Sequence, residues 1–466
     1  MEKLSDKITA IVLAAGQGTR MKSARPKVLH EILGRPMIAY LLETLKAVGL
    51  EDVVMVVGYQ AERVQEVYRD YGVRFVVQEP QNGTGHAVQV VLAANLPEAT
   101  RTVLVLCGDA PLIAGESILA LHRLHQKTGA AVTMQTIELK EGAHYGRVVR
   151  DRGGLVRAVV QAKDAREHPE FLAIREINTG AYFFDANFLK TTLPLLRPSP
   201  VTGEIYMTDL VRIAREQDRI VAALVDPDRE NLLGVNNRAD LAAATQTVKR
   251  CINCRHLDQG VTLIDPESAF IEPGVSIGRD TVIHPNVYLQ GATVIGENCV
   301  IGPMVQIVDS VLENNVHIKM GCSITKSHIG AGADAGPFAH LRPGADLRQR
   351  VHVGNFVEVK KSVLREGVKA GHLSYLGDAD IGPGTNVGAG TITCNYDGVK
   401  KHPTTIGEGV FIGSNTALVA PVRVGAGAYV GAGSTITKDV PPGKLAISRA
   451  RQVNLERRPG GKKKKD

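Results

Sequence analysis

Two groups of residues in this chain have types and spacings that could do chemistry. The first is Leu13-Ala-Ala-Gly-Gln-Gly-Thr-Arg-Met21, followed by Pro26-Lys27-Val28-Leu29. Small residues let backbone N–H groups approach a phosphate chain, and the cations Arg20 and Lys27 suit a triphosphate whose charge must be neutralised as it is cleaved. Two better known phosphate loops are excluded. No Gly-Lys-Ser/Thr ends a P-loop, and the sixth position of a dinucleotide fingerprint is Met21 rather than Gly. The second group is His340-Leu-Arg342, Asn355-Phe-Val-Glu358-Val-Lys360-Lys361, Gly371-His372-Leu-Ser-Tyr375-Leu-Gly-Asp378 and Thr393-Cys-Asn395-Tyr396-Asp397. It gathers polar groups where a structural segment needs none. The His372 imidazole has an intrinsic pKa near neutrality, as a general base requires.

These residues need elements to position them. From Ile8 to about Gly234, short β-branched runs alternate with amphipathic stretches: Ile8–Ala14, Met37–Gly49, Val53–Val57, Ala61–Tyr71, Val73–Val77, Thr84–Asn95 and Thr102–Leu106. In Met37–Gly49, the apolar residues Ile38, Leu41, Leu42, Leu45 and Val48 fall at helical steps. The alternation predicts βαβ units and a parallel sheet, with the first glycine loop at its carboxyl edge, where such sheets bind ligands. Residues 238–256 read as one alanine-rich linking helix.

After Gly260 the period becomes six. Aliphatic residues recur at Ile277, Ile283, Leu289, Ile295, Ile301 and Ile307, at Ile329, Ala335, Leu341, Leu347, Val353 and Val359, and at Ile406, Ile412, Leu418, Val424, Val430 and Ile436. This period predicts a parallel β-helix with three hexapeptides per coil. Between Val387 and Ile406 it breaks, and residues 388–405 are expected to leave the coil as a loop. The resulting partition is 1–234, a linker at 235–259, a β-helix at 260–447 and a tail at 448–466.

Composition bounds the rest. The 466 residues are 44% hydrophobic and 22% charged, enough for two or three domains with sizeable cores. The formal charge is +7, but Arg451–Asp466 carries seven Lys/Arg against two Asp/Glu, leaving +2 for the remainder. The excess is a tail, with Lys462–Lys465 at its end, so no nucleic-acid-binding face is expected. No apolar run is long enough for a membrane span, and a cytoplasmic protein is expected. Six scattered cysteines do not make a disulfide scaffold, and Cys251, Cys254 and His256 lack the further ligand and spacing of a zinc site.

Taken with Gln78, Asn82-Gly83-Thr84-Gly85-His86, Cys107-Gly-Asp-Ala-Pro-Leu112, Asn178-Thr-Gly180 and Gly234-Val-Asn236-Asn237-Arg238, the first group resembles the sugar-1-phosphate nucleotidyltransferases. With the β-helix behind it, the whole chain is similar to the bifunctional bacterial enzymes that acetylate glucosamine-1-phosphate and then uridylylate the product. The resemblance implies a Rossmann-like α/β nucleotidyltransferase domain followed by a left-handed β-helix, assembled as a homotrimer. It implies UTP, acetyl-CoA and glucosamine-1-phosphate as substrates and Mg²⁺ as cofactor.

By the same resemblance, Leu13, Ala14, Ala15 and Gly16 contact the nucleotide, and Lys27 its phosphates as a catalytic cation. Gln78, Gly83 and Thr84 hold base and sugar, Gly146, Gln161, Asn178 and Asn236 line the pocket, and Asp109 and Asn236 bind the metal. In the β-helix, Arg342 and Lys360 bind the sugar phosphate. Tyr375, Asn386, Asn395 and Tyr396 bind sugar or acetyl groups, and His372 is the general base; apart from the resemblance, the need to orient that imidazole makes Glu358 its expected partner. Ala389, Ser414, Ala432 and Arg449 contact acetyl-CoA. Cys107 and Gln161 depart from the family's usual tyrosine and glutamate, which bears on sugar selectivity. Taken singly, Lys27 reads as a surface lysine, Asp109 as a turn residue and His372 as structural. One alternative for the chain is a single-activity nucleotidyltransferase with the β-helix as a trimerisation module; another is a non-catalytic binding protein.

Overall fold

A computed structural model of the protein describes residues 3–4, 7–94, 96–140, 142, 145–164, 169–227 and 231–456. The Lys462–Lys465 run lies outside them. The chain divides into two units, Met1–Val248 and Lys249–Asp466.

The first unit alternates β1 (Ile8–Leu13), α1 (Met37–Ala47), β2 (Val53–Val57), α2 (Ala61–Tyr68), β3 (Arg74–Val77), α3 (Thr84–Ala93), β4 (Thr102–Cys107), α4 (Gly115–Thr128) and β5 (Val132–Glu138). It continues with β6 (Arg147–Arg150), β7 (Val156–Val160), β8 (Glu176–Asp185), α5 (Asp209–Glu216), β9 (Val221–Val225) and the start of α6 (Arg238–Asp258), a helix that runs on past Val248 into the second unit. In α1 the predicted residues Ile38, Leu41, Leu42 and Leu45 are buried. The unbroken apolar runs of β1, β2 and β4 become the sheet centre, covered on both faces.

The main sheet runs β9-β5-β8-β4-β1-β2-β3, with the β6–β7 hairpin off β8. It is mixed rather than all parallel, because β8 lies antiparallel between β4 and β5. β8 follows the β6–β7 hairpin and pairs antiparallel with β6 as well, at Ile177 and Arg147. A bulge breaks the β8–β5 register between Asn178 and Tyr182, turning residues 179–181 out of the regular ladder. Leu13 pairs with both Val56 and Cys107, so the loops after β1, β2 and β4 emerge at one level of the carboxyl edge.

The second unit winds into three parallel sheets, each taking every third strand. This is the β-helix that the six-residue period predicts, and all eighteen aliphatic positions named above are buried in it. The column continues through the gaps between the three sequence runs because four corners hold one residue fewer: Ile307 to Leu312, Ile324 to Ile329, Val359 to Leu364 and Leu376 to Ile381. Each short corner turns on a left-handed residue two positions after the column: Asp309, Lys326, Lys361 or Asp378. In most six-residue corners the left-handed residue falls three positions after it instead. Glycine follows many column residues because the next coil leaves no room; a Cβ at Gly413 would lie 2.4 Å from the Ala432 nitrogen.

One expectation changes here. Residues 388–405 do not all leave the coil. Ile392–Cys394 is a strand, and the fully buried Thr393 takes the column position six after Val387. Its polar side chain hides it from an aliphatic pattern, but the hydroxyl accepts from Gly377 N (2.8 Å) and donates to Gly377 O (3.0 Å), which removes the cost of burial. The extruded loop is residues 395–403.

Since the column is close-packed, Leu341→Ala should cost about 2–5 kcal/mol by leaving a cavity. A matched substitution at the exposed neighbour Arg348 should cost little. Denaturant melts of the second unit's β signal check this; equal melts would mean that the column is not tightly packed.

Candidate active sites

In the first unit, four residues from separated stretches meet beyond the carboxyl edge of the sheet. Lys27, on a one-turn helix (Lys27–Leu29) entered through Pro26, sends its ammonium to Asp109 Oδ2 at 2.5 Å and to Asn236 Oδ1 at 2.9 Å. Arg20 donates to the same Asn236 oxygen at 2.8 Å. The Lys27 side chain is only 10% exposed. Asp109 stands two residues beyond the end of β4, and its carbonyl accepts from Val235 N at 2.7 Å, tying the 234–236 turn to the sheet edge. Lys27 is thus no surface lysine, and Asp109 is more than a turn residue.

Around this cluster, Ala14 and Ala15 are buried and Gly16 is exposed with open space where a Cβ would sit. Gly18 carries the tighter constraint. Its φ is +66°, and a Cβ there would stand 2.5 Å from Lys27 Cβ. The Gln78 amide donates to Gly83 O (2.9 Å), Thr84 Oγ1 accepts from Met207 N (3.1 Å), and a Cβ on Gly83 would strike Ile205 O at 2.6 Å. Gly83 and Thr84 therefore also hold the 205–207 segment, and Gln78 braces Gly83. Gln78 also borders a cleft of about 950 Å³ with Gly58, Gln60 and Gln81, within the size range of ligand pockets. Gly146 and Asn178 are joined by the Asn178 N to Gly146 O bond (2.9 Å), and Gln161 donates to Thr208 Oγ1 at 2.9 Å. Cys107 Sγ would lie 2.5 Å from a Cβ on Gly180, so this thiol is packed against the bulge of β8. Burial pushes it up to about 12, with Asp109 adding to the effect.

Tyr145 has no counterpart in the sequence reading. Its hydroxyl accepts from Gly234 N at 2.9 Å, beside the Asp109–Asn236 pair. Burial pushes this phenol up to about 12. Only the adjacent Gly146 could have drawn attention to it.

In the β-helix, the predicted residues fall on two adjoining strips. On one, Arg342 and Lys360 each follow a column residue on neighbouring coils, and Tyr375 pairs in register with Glu358. Asn395 donates to Asp378 Oδ2 at 2.5 Å and to Tyr375 OH at 3.4 Å. Lys401, on the loop, depresses the Lys360 ammonium, first through a hydrogen bond between the two side chains and then through its charge. Sequence reading missed Lys401 because the loop has no period to register it. With Arg342 these residues gather cations beside Tyr375, an arrangement suited to a phosphate. Tyr396, on the same loop, is exposed and donates to Gly398 O at 2.6 Å.

The other strip is a single corner line. Asn355, His372, Ala389, Ser414 and Ala432 each sit two residues after a column position on successive coils, at Val353, Ala370, Val387, Ile412 and Val430. Arg449, following the last strand of that sheet, donates to Ala432 O at 2.5 Å. Asn386 lies beside the line on the strand before Ala389. The expected partner of His372 is corrected here. His372 Nδ1 donates to Asn355 Oδ1 at 2.7 Å, whereas Glu358 pairs with Arg342 Nη1 at 2.7 Å. An oxygen acceptor fixes the proton on Nδ1, so Nε2 carries the free lone pair.

Cys251 and Cys254 are free and exposed, and among the described residues no cluster of three or more His, Cys, Asp or Glu could hold a metal. No helix among them is long and apolar enough to cross a membrane.

Comparison with known proteins adds the following. The family model of the MobA-like NTP transferase domain matches residues 10–174, that of the GMPPB C-terminal domain matches 262–355, and that of the bacterial transferase hexapeptide (six repeats) matches 403–438. The Bifunctional protein GlmU of Pelobacter propionicus is 48% identical over 452 residues, covering 97% of this chain and 98% of its own. That of Heliobacterium modesticaldum is 47% identical, covering 98% and 99%, and that of Listeria monocytogenes 45%, covering 96% of each.

The 395–403 loop carries a pH test. Hydrogen bonds from Lys400 N–H, then from His402 and Val399 N–H, hold the Asp397 carboxyl well below the usual carboxylate range. Its folded pKa is depressed, so its contribution is present above the unfolded value of about 3.9 and lost only as pH falls through the folded value. Exchange protection of the Val399 and Lys400 amides, corrected for intrinsic rates, should hold from pH 7 to about 4. In Asp397→Ala it should be lost at every pH. Loss near pH 5 in the parent protein would contradict the assignment.

Proposed function

We propose residue roles from one premise: the chain belongs to the family of bifunctional GlmU proteins. It acetylates glucosamine-1-phosphate from acetyl-CoA, and it transfers the uridylyl group of UTP to N-acetylglucosamine-1-phosphate, giving UDP-N-acetylglucosamine and pyrophosphate. The observation that carries the residue assignment of the first activity is the convergence of Lys27, Arg20, Asp109 and Asn236 at the sheet edge.

Uridylyl transfer is in-line attack of the sugar phosphate oxygen on the α-phosphorus of UTP, with pyrophosphate leaving. It needs placement and charge neutralisation rather than a covalent intermediate. Leu13 to Gly16 offer backbone to the nucleotide, and Arg20 and Lys27 offset its phosphate charge. Gln78, Gly83 and Thr84 border base and sugar, and Gly146, Gln161 and Asn178 line the acceptor side. Asp109 and Asn236 suit Mg²⁺, because one carboxylate and one amide oxygen converge on a single cation, Lys27 Nζ. A hard cation is commonly held by so few protein oxygens, with phosphate and water completing its shell. Once bound, the ion supplies further neutralisation of phosphate charge.

For acetyl transfer, we assign Arg342, Lys360 and Lys401 to the sugar phosphate, and Tyr375, Asn386, Asn395 and Tyr396 to the sugar and acetyl groups. The amine of glucosamine-1-phosphate attacks the thioester carbonyl and loses a proton to His372 Nε2. Collapse expels the CoA thiolate, which takes a proton back. Asn355 keeps the imidazole in the productive tautomer. Ala389, Ser414, Ala432 and Arg449 form the CoA edge. Residues 1–234 and 260–447 are assigned to the two activities, with 235–259 as connector, although Asn236 works with the first. A homotrimer completes the CoA edge, since one solenoid offers it only one wall. UTP and acetyl-CoA are cytoplasmic metabolites, which favours that location.

Asp109→Asn should slow uridylyl transfer strongly, through loss of an anionic ligand, and leave CoA release from acetyl-CoA unchanged. Equal loss of both activities in a folded protein would argue against the metal assignment. His372→Ala should lower acetyl transfer by about 10² to 10⁴ with uridylyl transfer intact. Asn355→Ala should lower it less. Asn355→Asp should restore the hydrogen bond and move the acidic limb of the rate profile to higher pH, because a carboxylate favours the imidazolium. A stable His372→Ala protein releasing CoA normally would remove this base from the mechanism.

A further inference from the structure

We infer that Lys27 is an internal counter-cation that occupies the metal position in the free enzyme, so that the divalent ion enters only when nucleotide phosphate draws the lysine away. The inference rests on the assignment of Asp109 and Asn236 as metal ligands and adds an order of assembly to it.

The geometry carries the argument. Lys27 Nζ lies 2.5 Å from Asp109 Oδ2 and 2.9 Å from Asn236 Oδ1, the two oxygens proposed for the metal. A cation bonded to both at once fills the point on which they converge. The lysine is held there from behind. Its stem is buried, and Gly18, in a left-handed turn with room for no side chain, packs against Lys27 Cβ. Asn236 is anchored independently by its own N–H to Asp240 Oδ2 at 2.8 Å, and Arg20 donates to its amide oxygen. The ligand oxygens are therefore kept in place before any metal arrives, at the expense of metal affinity. A divalent ion cannot share this point with an ammonium, because like charges at contact distance repel strongly. A triphosphate gives Lys27 an alternative anion, and its departure frees Asp109 Oδ2 and leaves Asn236 Oδ1 with Arg20 alone, which the same phosphates also attract. Metal and nucleotide affinity are then coupled through one side chain, and coupling is reciprocal.

The test uses the full-length protein and Mn²⁺ as probe, with free Mn²⁺ read by its paramagnetic resonance signal, no nucleotide present, and folding checked by thermal melting. Lys27→Met and Lys27→Gln, which remove the charge and keep most of the volume, should bind Mn²⁺ more tightly than the parent, within the usual coupling range of about 5- to 150-fold. Adding Asp109→Asn to either should abolish the gain. The parent and Asp109→Asn should bind Mn²⁺ alike without nucleotide and differ only when UTP is added. This arm stands even where the lysine variants fail to fold. If the parent alone binds Mn²⁺ clearly more tightly than Asp109→Asn without nucleotide, or if the folded lysine variants gain nothing, the counter-cation role is wrong while the metal assignment stands. If Asp109→Asn changes Mn²⁺ binding under no condition, with or without UTP, the metal assignment itself falls.

Discussion

Parallel strand pairing is the constraint from which both halves of this protein follow. Parallel neighbours must start and stop at matching levels, so residues at equal offsets from a strand end are delivered to one place. In the first unit, Leu13, Val56 and Cys107 share a level, and the loops after β1 and β4 therefore bring the glycine segment and Asp109 together. In the second unit the same rule repeats coil after coil. It turns five residues spaced 17, 17, 25 and 18 apart in sequence, Asn355 to Ala432, into one line. The 25-residue step contains the extruded loop, and its insertion leaves the line unbroken because the loop leaves and rejoins at the same coil.

That regularity explains which features were legible in the sequence. Aliphatic column positions repeat, and every one named from the period is buried. The glycine loop and Asp109 sit at strand ends, which apolar runs mark clearly. Polar residues doing structural work were not legible. Thr393 fills a column position with its hydroxyl satisfied by Gly377, and no hydrophobic pattern registers such a residue. The four short corners escaped for a related reason: a missing residue shifts the phase, and Lys326 or Lys361 in a left-handed turn carries no composition signal. The antiparallel β8 escaped because its direction is set by pairing with strands distant in sequence, which apolar patterning does not encode.

Site residues divide along the same line. Positions whose chemistry needs a particular atom in a particular turn, such as Lys27 and His372, are recognisable from their surroundings. Their partners are not. Tyr145 and Lys401 reach the sites through side-chain length and loop geometry, and for Arg20 and Asn355, whose types the sequence marks, sequence separation hides the contacts with Asn236 and His372. The helix α6 adds a further case. It reads as a linker, yet its later part is held by structure: Asn253 donates to Pro266 O (2.8 Å) and Ala269 O (3.1 Å), and Lys249 stands over the Phe270 ring at 4.8 Å.

The corrected partner of His372 shows how charge is kept apart within a few residues. Glu358 is the nearer choice by type, since a carboxylate is a strong orienter of imidazole. A carboxylate also favours the imidazolium, the form that cannot accept a proton from an attacking amine. The protein instead neutralises Glu358 with Arg342 and presents His372 with the amide oxygen of Asn355. The amide fixes the tautomer by direction alone and adds no net charge. The Glu358–Arg342 pair also keeps the guanidinium in place beside Lys360 and Lys401, so this carboxylate orders the cations proposed for the sugar phosphate rather than the proposed base. The two roles lie one corner apart, on strips whose alignment the coil repeat enforces.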